Sequence, residues 1–389
     1  MNANLRHLRV FLAVLETGSM TRAADLCRVS QPAVTQAMAK LEAEAGQPLV
    51  LRRPGSIFAT PAGSILKLRV TRTFDLLDPA LAEVAPRLAL TATAPQLKAL
   101  IALSKAENFT LAAFRLGLSQ PTVHRAISTL EQEVGQPLFD RTPHGVRPLR
   151  RTLALARAAQ LAFSELEQAR ADLGELEGRE IGSIVIGAMP LSRAGLLPRA
   201  IARFRQRWSR LTLRILDGPY TGMMEGLRRG EIDFLVGALR DPLPVADVVQ
   251  EKLFDDRLGM LVRRGHPLAA RASVTLAEVL ACPMVAGAEG LPSRRALEQL
   301  IAPVGRPASL VESGSLALLR DLLRHSDHVG CISQTQAMAE LEDGTLQLLP
   351  VDMSATARAI GITTRHGWLP TRAQRDILED LRAVTATMA

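Results

Sequence analysis

The sequence predicts a multidomain chain: two helix-turn-helix units in tandem, a long linker helix, and an α/β region. Three observations predict it. A twenty-residue segment occurs twice. After the second copy, apolar residues recur at alternating spacings of four and three. From about residue 182 onward, short β runs alternate with helical stretches. Residues 30–49 read SQPAVTQAMAKLEAEAGQPL and residues 119–138 read SQPTVHRAISTLEQEVGQPL, identical at twelve of twenty positions with a constant offset of 89 and no gap. The match extends backward, where Thr21, Ala23 and Ala24 fall on Thr110, Ala112 and Ala113. Two copies of one small, polar and apolar pattern indicate a supersecondary unit used twice.

Each element of the unit has a local cause. Leu8, Phe11, Leu12 and Leu15 form a helical stripe. Thr21 is placed to cap a short helix over residues 22–26, and Arg28-Val29 makes a turn. Ser30 then caps a helix over residues 31–45, with Pro32 in the first turn, where a missing N–H costs little, and Gly46 ending it. A polar-tipped second helix after a tight turn is the helix-turn-helix plan, in which the N-terminal residues of that helix face base edges in the major groove. In the first copy these are Ser30, Gln31, Ala33, Thr35 and Gln36. In the second they are Ser119, Gln120, Thr122, His124 and Arg125. Gln suits adenine, and Arg suits guanine through a bidentate pair. Charge agrees: residues 1–150 hold 18 Lys/Arg against 11 Asp/Glu, whereas residues 151–389 hold 29 against 28. The positive field lies with the repeat, and duplex DNA is the polyanion it fits.

After the second copy, Leu155, Ala159, Ala162, Leu166, Ala169, Leu173 and Leu176 form a heptad seam suited to pairing with another helix. After the first, Leu66, Val70, Thr73 and Leu77 begin a similar seam, which Pro79 and Pro86 are expected to break. Further on, residues 182–188 (GSIVIGA), 211–217 (LTLRILD) and 232–237 (IDFLVG) read as strands, with helices over 195–208 and 220–229 between them, which predicts βαβ units and a mostly parallel sheet. Two β-rich runs, 252–263 and 346–363, suit crossings between subdomains.

Both copies resemble the N-terminal domain of LysR-type transcriptional regulators. The second keeps Phe109-Thr110 with Ala112-Ala113, then SQPTV, LEQEVGQPLFDR and Thr142. The first keeps residues 19–24, SQPAV, LEAEAGQPL and the closing TPAG of residues 60–63. The first departs at Val50-Leu51-Arg52, and the second lacks TPAG. A tandem departs from the family norm of one unit. The remainder resembles the family's effector-binding domain through LPRAIARFRQRWSRLTLRI, EGLRRGEIDFLVG, the GHPLA of residues 265–269 and the stretch ending in GCIS. The resemblance implies two all-α winged helix-turn-helix domains, a long linker helix through which such regulators dimerise, and a two-lobed α/β, periplasmic-binding-protein-like effector domain. The expected boundaries are 1–62 for the first winged unit, 63–93 for a broken helical connector, 94–149 for the second unit, 150–178 for the linker helix and 179–389 for the effector domain.

Wing residues Arg52 and Arg53, with Arg141, join the DNA-binding candidates, Arg52 and Arg53 as phosphate grips and Arg125 as a base reader. Ligands in open α/β sheets gather at strand carboxyl ends and helix N-termini, which favour anions. Carried over from the family, the effector-binding candidates are Leu191 and Ser192, Tyr220 and Thr221, Ala238 and Leu239, Ser293 and Arg294, and Gly314 and Ser315. For each one singly, a cap or turn role competes, and Arg294 has Glu298 nearby.

The implied function is a sequence-specific regulator of transcription switched by a small, anionic effector. Its expected partners are double-stranded DNA, the effector, further copies as a homodimer or homotetramer, and RNA polymerase. The alternative is a cytoplasmic ligand-binding protein or an enzyme on the two-lobed fold, with one helix-turn-helix copy serving protein–protein contact. No catalytic motif or phosphate loop appears, the seven His do not cluster, and the three Cys are far apart with no CxxC, so no enzyme activity, cofactor or metal is expected. The apolar run 10–15 is too short for a secretory segment and 88–103 is broken by Pro95 and Lys98, so a cytoplasmic protein with no membrane partner is expected.

Overall fold

The computed structural model describes residues 4–386 apart from 107, 144 and 244. The chain forms two compact units. One runs through Ser183 and takes in Arg210–Thr212 and Arg229–Glu231; the other holds the remaining residues from Ile184 onward.

In the first unit, α1 (Leu5–Thr17), α2 (Met20–Cys27) and α3 (Gln31–Ala45) lead into a hairpin, β1 (Val50–Arg53) and β2 (Ser56–Ala59), and then α4 (Pro61–Val84). A short α5 (Leu88–Thr91) precedes the second copy: α6 (Ala94–Ser104), α7 (Phe109–Leu116), α8 (Gln120–Val134), β3 (Phe139–Thr142), β4 (Gly145–Pro148) and α9 (Arg150–Leu176). The copies agree down to strand register, with Val50 opposite Ala59 and Phe139 opposite Pro148, the same positions 89 residues apart.

The repeated residues explain the repeated geometry. Ser30 Oγ accepts from the Ala33 N–H and Ser119 Oγ from the Thr122 N–H, both at 3.4 Å, so each recognition helix has a side-chain N-cap. Gly46 and Gly135 end these helices at φ 74° and 75°, a left-handed conformation that glycine adopts without strain. Glu42 Oε1 accepts from Leu49 N at 2.9 Å and Val50 N at 3.3 Å, and Glu131 Oε1 accepts from Leu138 N at 2.7 Å. The shared Leu-Glu…Gly-Gln-Pro-Leu run is thus a device in which a carboxylate ties down the turn entering the wing.

Three expectations about the helices are corrected. Ser19, not Thr21, caps α2, its Oγ accepting from Arg22 N at 3.4 Å. The connector 63–93 is not broken at Pro79: α4 is one 24-residue helix with Pro79 inside it, and the chain leaves the helix only at Ala85, before Pro86. Tertiary contacts brace the proline turn. Arg9 of α1 forms a two-pronged pair with Asp78 at 2.9 and 2.5 Å, and its guanidinium lies 3.9 Å from the Phe74 ring centre. Nor is the seam of α9 left open for another molecule. It packs along α4 of the same chain, burying Leu155, Ala159, Ala162, Leu166, Ala169 and Leu173 on one side and Leu66, Val70, Thr73 and Leu77 on the other. Alternating spacing reports that a face is covered by a helix; it does not report which helix. One continuous apolar core therefore runs through both copies.

The second unit contains, among the described residues, two five-stranded sheets. The strands and helices are β5 (Ser183–Ala188), α10 (Leu196–Phe204), β6 (Thr212–Leu216), α11 (Tyr220–Arg228), β7 (Phe234–Ala238), β8 (Val248–Asp256), β9 (Leu258–Arg263), α12 (Leu276–Leu280), β10 (Pro283–Ala286), α13 (Pro292–Ile301), β11 (Ser309–Glu312), α14 (Leu316–His325), β12 (Val329–Ser333), α15 (Met338–Glu342), β13 (Leu346–Leu348), β14 (Arg358–Arg365) and α16 (Arg372–Ala386). The first sheet has the order β6-β5-β7-β14-β8 and the second β11-β10-β12-β9-β13. The chain leaves the first lobe between β8 and β9 and returns between β13 and β14, within the two β-rich runs singled out in the sequence. The sheets are mixed rather than mostly parallel: β5 and β7 are parallel, but the returning β14 runs against both β7 and β8, and β9 runs against β12 and β13. Among the described residues, no helix is long and apolar enough to cross a membrane.

Candidate nucleic-acid interface and effector cleft

At the tips of α3 and α8 the apolar side chains turn inward and the polar ones outward. Val34, Ala37, Met38 and Leu41 anchor α3, and Val123, Ile127 and Leu130 anchor α8. This leaves Ser30, Gln31, Ala33, Thr35 and Gln36 exposed on the first copy and Ser119, Gln120, Thr122, His124 and Arg125 exposed on the second. Their hydrogen bonds are short-range and easily exchanged: Gln31 Nε2 to Thr35 Oγ1 at 3.4 Å, Ser119 Oγ with Thr122 Oγ1 at 2.8 Å, and Thr110 Oγ1 to Gln120 Oε1 at 3.5 Å. His124 leans on Phe109, with ring centres 5.1 Å apart, which fixes the direction of its imidazole. Arg52 and Arg53 are exposed on the first wing and Arg141 on the second. Sequence reasoning missed Arg147, which is exposed on β4 opposite Asp140.

The effector candidates fall at the carboxyl edges of the two sheets. In the first lobe, Leu191 and Ser192 follow β5, Tyr220 and Thr221 follow β6, and Ala238 and Leu239 end and follow β7, three neighbouring strands. In the second, Ser293 and Arg294 follow β10, and Gly314 and Ser315 follow β11, also neighbours. The edges meet where Gln336 Nε2, after β12, donates to Pro190 O, after β5, at 3.1 Å. Close by, Thr335 O lies 2.9 Å from where a Cβ on Gly195 would sit, so the lobes approach at van der Waals distance there.

The candidates differ in what they can offer. Ser192 is fully buried, and its Oγ lies 2.9 Å from both Met189 O and Val236 O, which locks the loop to β7. Leu191 is buried, Ala238 is half-buried, and Leu239 N donates to Ala359 O at 2.9 Å. Ser293 is half-buried; Thr221 and Gly314 are exposed. Ser315 caps α14 by accepting from Leu318 N at 3.3 Å. Arg294 already pairs with Glu298 at 2.8 Å and with Glu312 at 2.6 Å. Tyr220 stacks under Arg240, whose guanidinium lies 4.6 Å from its ring centre; burial pushes the phenol up, against the pull of that charge. Arg240, Thr335 and Gln336 escaped sequence reasoning; the only available signal was their position just after strand ends.

At the pivot between the lobes, Asp256 is buried. It accepts from Ser333 Oγ at 2.7 Å and Thr335 Oγ1 at 2.9 Å, and it pairs with Arg358 at 3.1 Å. One carboxylate thus joins the end of β8 and the start of β14, where the chain crosses, to the end of β12 in the second lobe. Among the described residues, no cluster of three or more His, Cys, Asp or Glu could hold a metal ion.

Helix-turn-helix units with exposed polar tips, joined in one chain to a two-lobed α/β domain, define a DNA-binding protein with a ligand-binding module. The profile described as the LysR substrate binding domain matches residues 177–386, and that of the bacterial regulatory helix-turn-helix protein, LysR family, matches both 5–64 and 95–160. The chain belongs to the LysR family of DNA-binding transcriptional regulators, with an effector-binding domain. It is 34% identical over 391 residues to the HTH-type transcriptional regulator GalR of Pseudomonas putida, covering 99% of this chain and 98% of that one. It is 30% identical over 267 residues to the regulator YdcI of Escherichia coli, covering 68% of this chain and 87% of that one. Among solved structures, a full-length OxyR variant from Pseudomonas aeruginosa superposes with a TM-score of 0.54 at 25% identity, covering 75% of this chain and 94% of that one. ArgP from Mycobacterium tuberculosis, at 20% identity and a TM-score of 0.56, covers 75% and 97% and shares the fold. Nearly the whole of each solved chain is matched, yet about a quarter of this one is left over, an amount on the scale of one repeat. The alternative of a ligand-binding protein or enzyme finds no support in these relatives, which are transcriptional regulators.

Proposed function

We propose that both helix-turn-helix copies read duplex DNA and that a small anionic effector, bound between the lobes, shifts the regulator between DNA-bound arrangements. The supporting observation is that both recognition helices present their polar tips to solvent, and that no carboxylate is paired with Arg52, Arg53, Arg125 or Arg141 among the described residues. Arg125 acts on base edges; Arg52, Arg53 and Arg141 act on phosphates. For the effector, Arg240 beside Tyr220 and the N-termini of α11, α13 and α14 supply the positive potential. LysG, at 20% identity, carries the effector Arg in its solved structure; here Arg240 and those helix ends favour a ligand of opposite charge. A ligand shifts an equilibrium only by its differential affinity for the two states, so the effector must bind one arrangement more tightly. The regulator works in the cytoplasm as a homodimer or homotetramer, contacts RNA polymerase, and turns nothing over.

Footprinting of the full chain on its own genomic targets tests the DNA reading. Arg125→Ala should weaken binding to the target more than to random duplex, whereas Arg52→Ala should weaken both alike and flatten the salt dependence. Equal loss from both variants on both duplexes would remove Arg125 as a base reader. A thermal-shift screen of small carboxylates against Arg240→Ala tests the effector. A stabilising acid that binds the variant equally well contradicts the charge assignment.

A further inference from the structure

The pairing of α4 with α9 is antiparallel. Arg69 meets Asp172, Arg72 meets Glu165, and the Thr73 hydroxyl reaches Ala162 O at 3.5 Å, so one number falls as the other rises. The last pair carries most information, because 73 and 162 are the same position in the two copies, 89 residues apart. The helices cross at mutually equivalent residues, as they would about a two-fold axis. Contacts at the ends are reciprocal. Gln47, in the turn after the first recognition helix, donates to Leu173 O near the end of α9 at 3.3 Å. Arg87, just after α4, donates from Nε to Glu133 O near the end of the second recognition helix at 2.6 Å.

We propose that each chain is a complete two-headed reader: α4 and α9 form an internal pseudo-dimer, and the two unlike recognition helices read two unlike half-sites of one asymmetric DNA element. This rests on the reading above that both copies contact DNA.

The buried polar groups dictate which helix pairs with which. Arg69 is 2% exposed and is held by Glu165 at 2.9 Å, Asp172 at 2.8 Å and Gln168 at 2.7 Å. Of these groups only the acid at 172 is repeated in kind. The counterpart of Arg69 is Ala158, that of Arg72 is Leu161, and those of Glu165, Gln168 and Asp172 are Leu76, Pro79 and Glu83. In an α9–α9 pair with the same geometry, Glu165 would be buried against Ala158 and Leu161 with no cation. In an α4–α4 pair, Arg69 would face Leu76, Pro79 and Glu83. The like pairs would thus leave Glu165 with no cation, or Arg69 with one carboxylate in place of two and no amide; a buried charge short of its partners is disfavoured, so the ion network selects the unlike pair. Each reader stands at the N-terminal end of its own long helix, and the helices run in opposite directions. A 24-residue helix is about 36 Å long, close to one turn of duplex DNA, the separation at which two recognition helices enter successive major grooves on one face. The tips differ as well: Ala33, Thr35 and Gln36 in one copy stand where the other has Thr122, His124 and Arg125.

Three measurements on the full chain test this, the first without DNA. In the T73C/A162C variant, oxidation should bridge the introduced thiols within one chain, seen as a band at the mass of one chain on a denaturing, non-reducing gel and located by peptide mapping, with each single variant as control. A bridge at twice that mass, or none, overturns the internal pairing whatever the protein does with DNA. R69E/R72E should abolish target binding, and R69E/R72E/E165R/D172R, which inverts both sides of the network, should recover it when all four changes are in one chain; recovery by mixing R69E/R72E chains with E165R/D172R chains overturns pairing in cis. In the third, footprints are taken on targets selected from random duplex. Q31A/T35A and Q120A/R125A should each weaken one half of the site about tenfold, the scale of a lost base contact, and spare the other half. If both variants weaken the same half, or the two halves prove to be an inverted repeat, the two-reader assignment fails although the internal pairing stands.

Discussion

Arg28 ends α2 at φ 56°, whereas the second copy has Gly117 there at φ 63°. A side chain with a Cβ is strained in this region and glycine is not. Arg28→Gly should therefore raise stability, by about 0.5–1 kcal/mol after the extra chain entropy of glycine is allowed for; urea unfolding of the full chain measures it. Asp233 shows the opposite kind of compromise. It is buried, and desolvation raises its carboxyl above the usual range even though Val185 N–H, Arg365 and Gln374 favour the charge. An acid that holds its proton more tightly when folded stabilises the fold at low pH. That contribution declines as pH rises from the unfolded value near 3.8 through the raised folded one. Asp233→Asn should keep the Val185 bond and make stability fall less between acid and neutral pH, as thermal melts across that range would record. The Cys331 thiol, pushed up to about 12 by complete burial, should resist alkylation in the native protein.

At the scale of elements, the recognition helices were legible because their signals are local: a Ser cap, a proline in the first turn and a glycine at the end; the wings came from the family resemblance, and the glutamate that ties each one down was not foreseen. The fate of α4 was not. Proline inside a helix argues for a break, and only the Arg9 brace on Asp78 and Phe74, which lie 69 and 65 residues away in sequence, explains its continuity. The partner of α9 was equally hidden, because a heptad pattern does not name the chain opposite. Arg69, a basic residue inside an apolar helix face, was the sequence sign of a buried partner on another helix. Arg69→Met would remove the buried cation that Glu165 and Asp172 share in the interface and should cost about 3–5 kcal/mol, read as a lower unfolding midpoint. The copies also differ where α4 and α9 begin. A Cβ at Gly63 would lie 2.0 Å from Leu49 O, whereas the equivalent Thr152 donates to Leu138 O at 2.5 Å. The absence of TPAG from the second copy is thus a different solution to the same junction.

For the whole molecule, the alternation of strands and helices and the two crossings were readable, and the mixed sheets follow from those crossings, since a strand that returns from the other lobe enters in the opposite sense. The contacts that fix the pivot were not readable, because Asp256, Ser333, Thr335 and Arg358 are distant in sequence and ordinary in composition. Asp256→Ala would leave Arg358 without its anion and two hydroxyls without an acceptor. The effector-binding domain should lose about 3 kcal/mol or more, visible in calorimetry as an earlier transition for that domain. The meeting of α4 with α9 on one polypeptide has a consequence for the cell. Joining the two helix-turn-helix copies is a first-order event, so it is complete in a cell holding a handful of copies and does not weaken on dilution. A defective allele of the gene cannot capture half of a normal helix-turn-helix pair, and related regulators in the same cell cannot exchange arms with it.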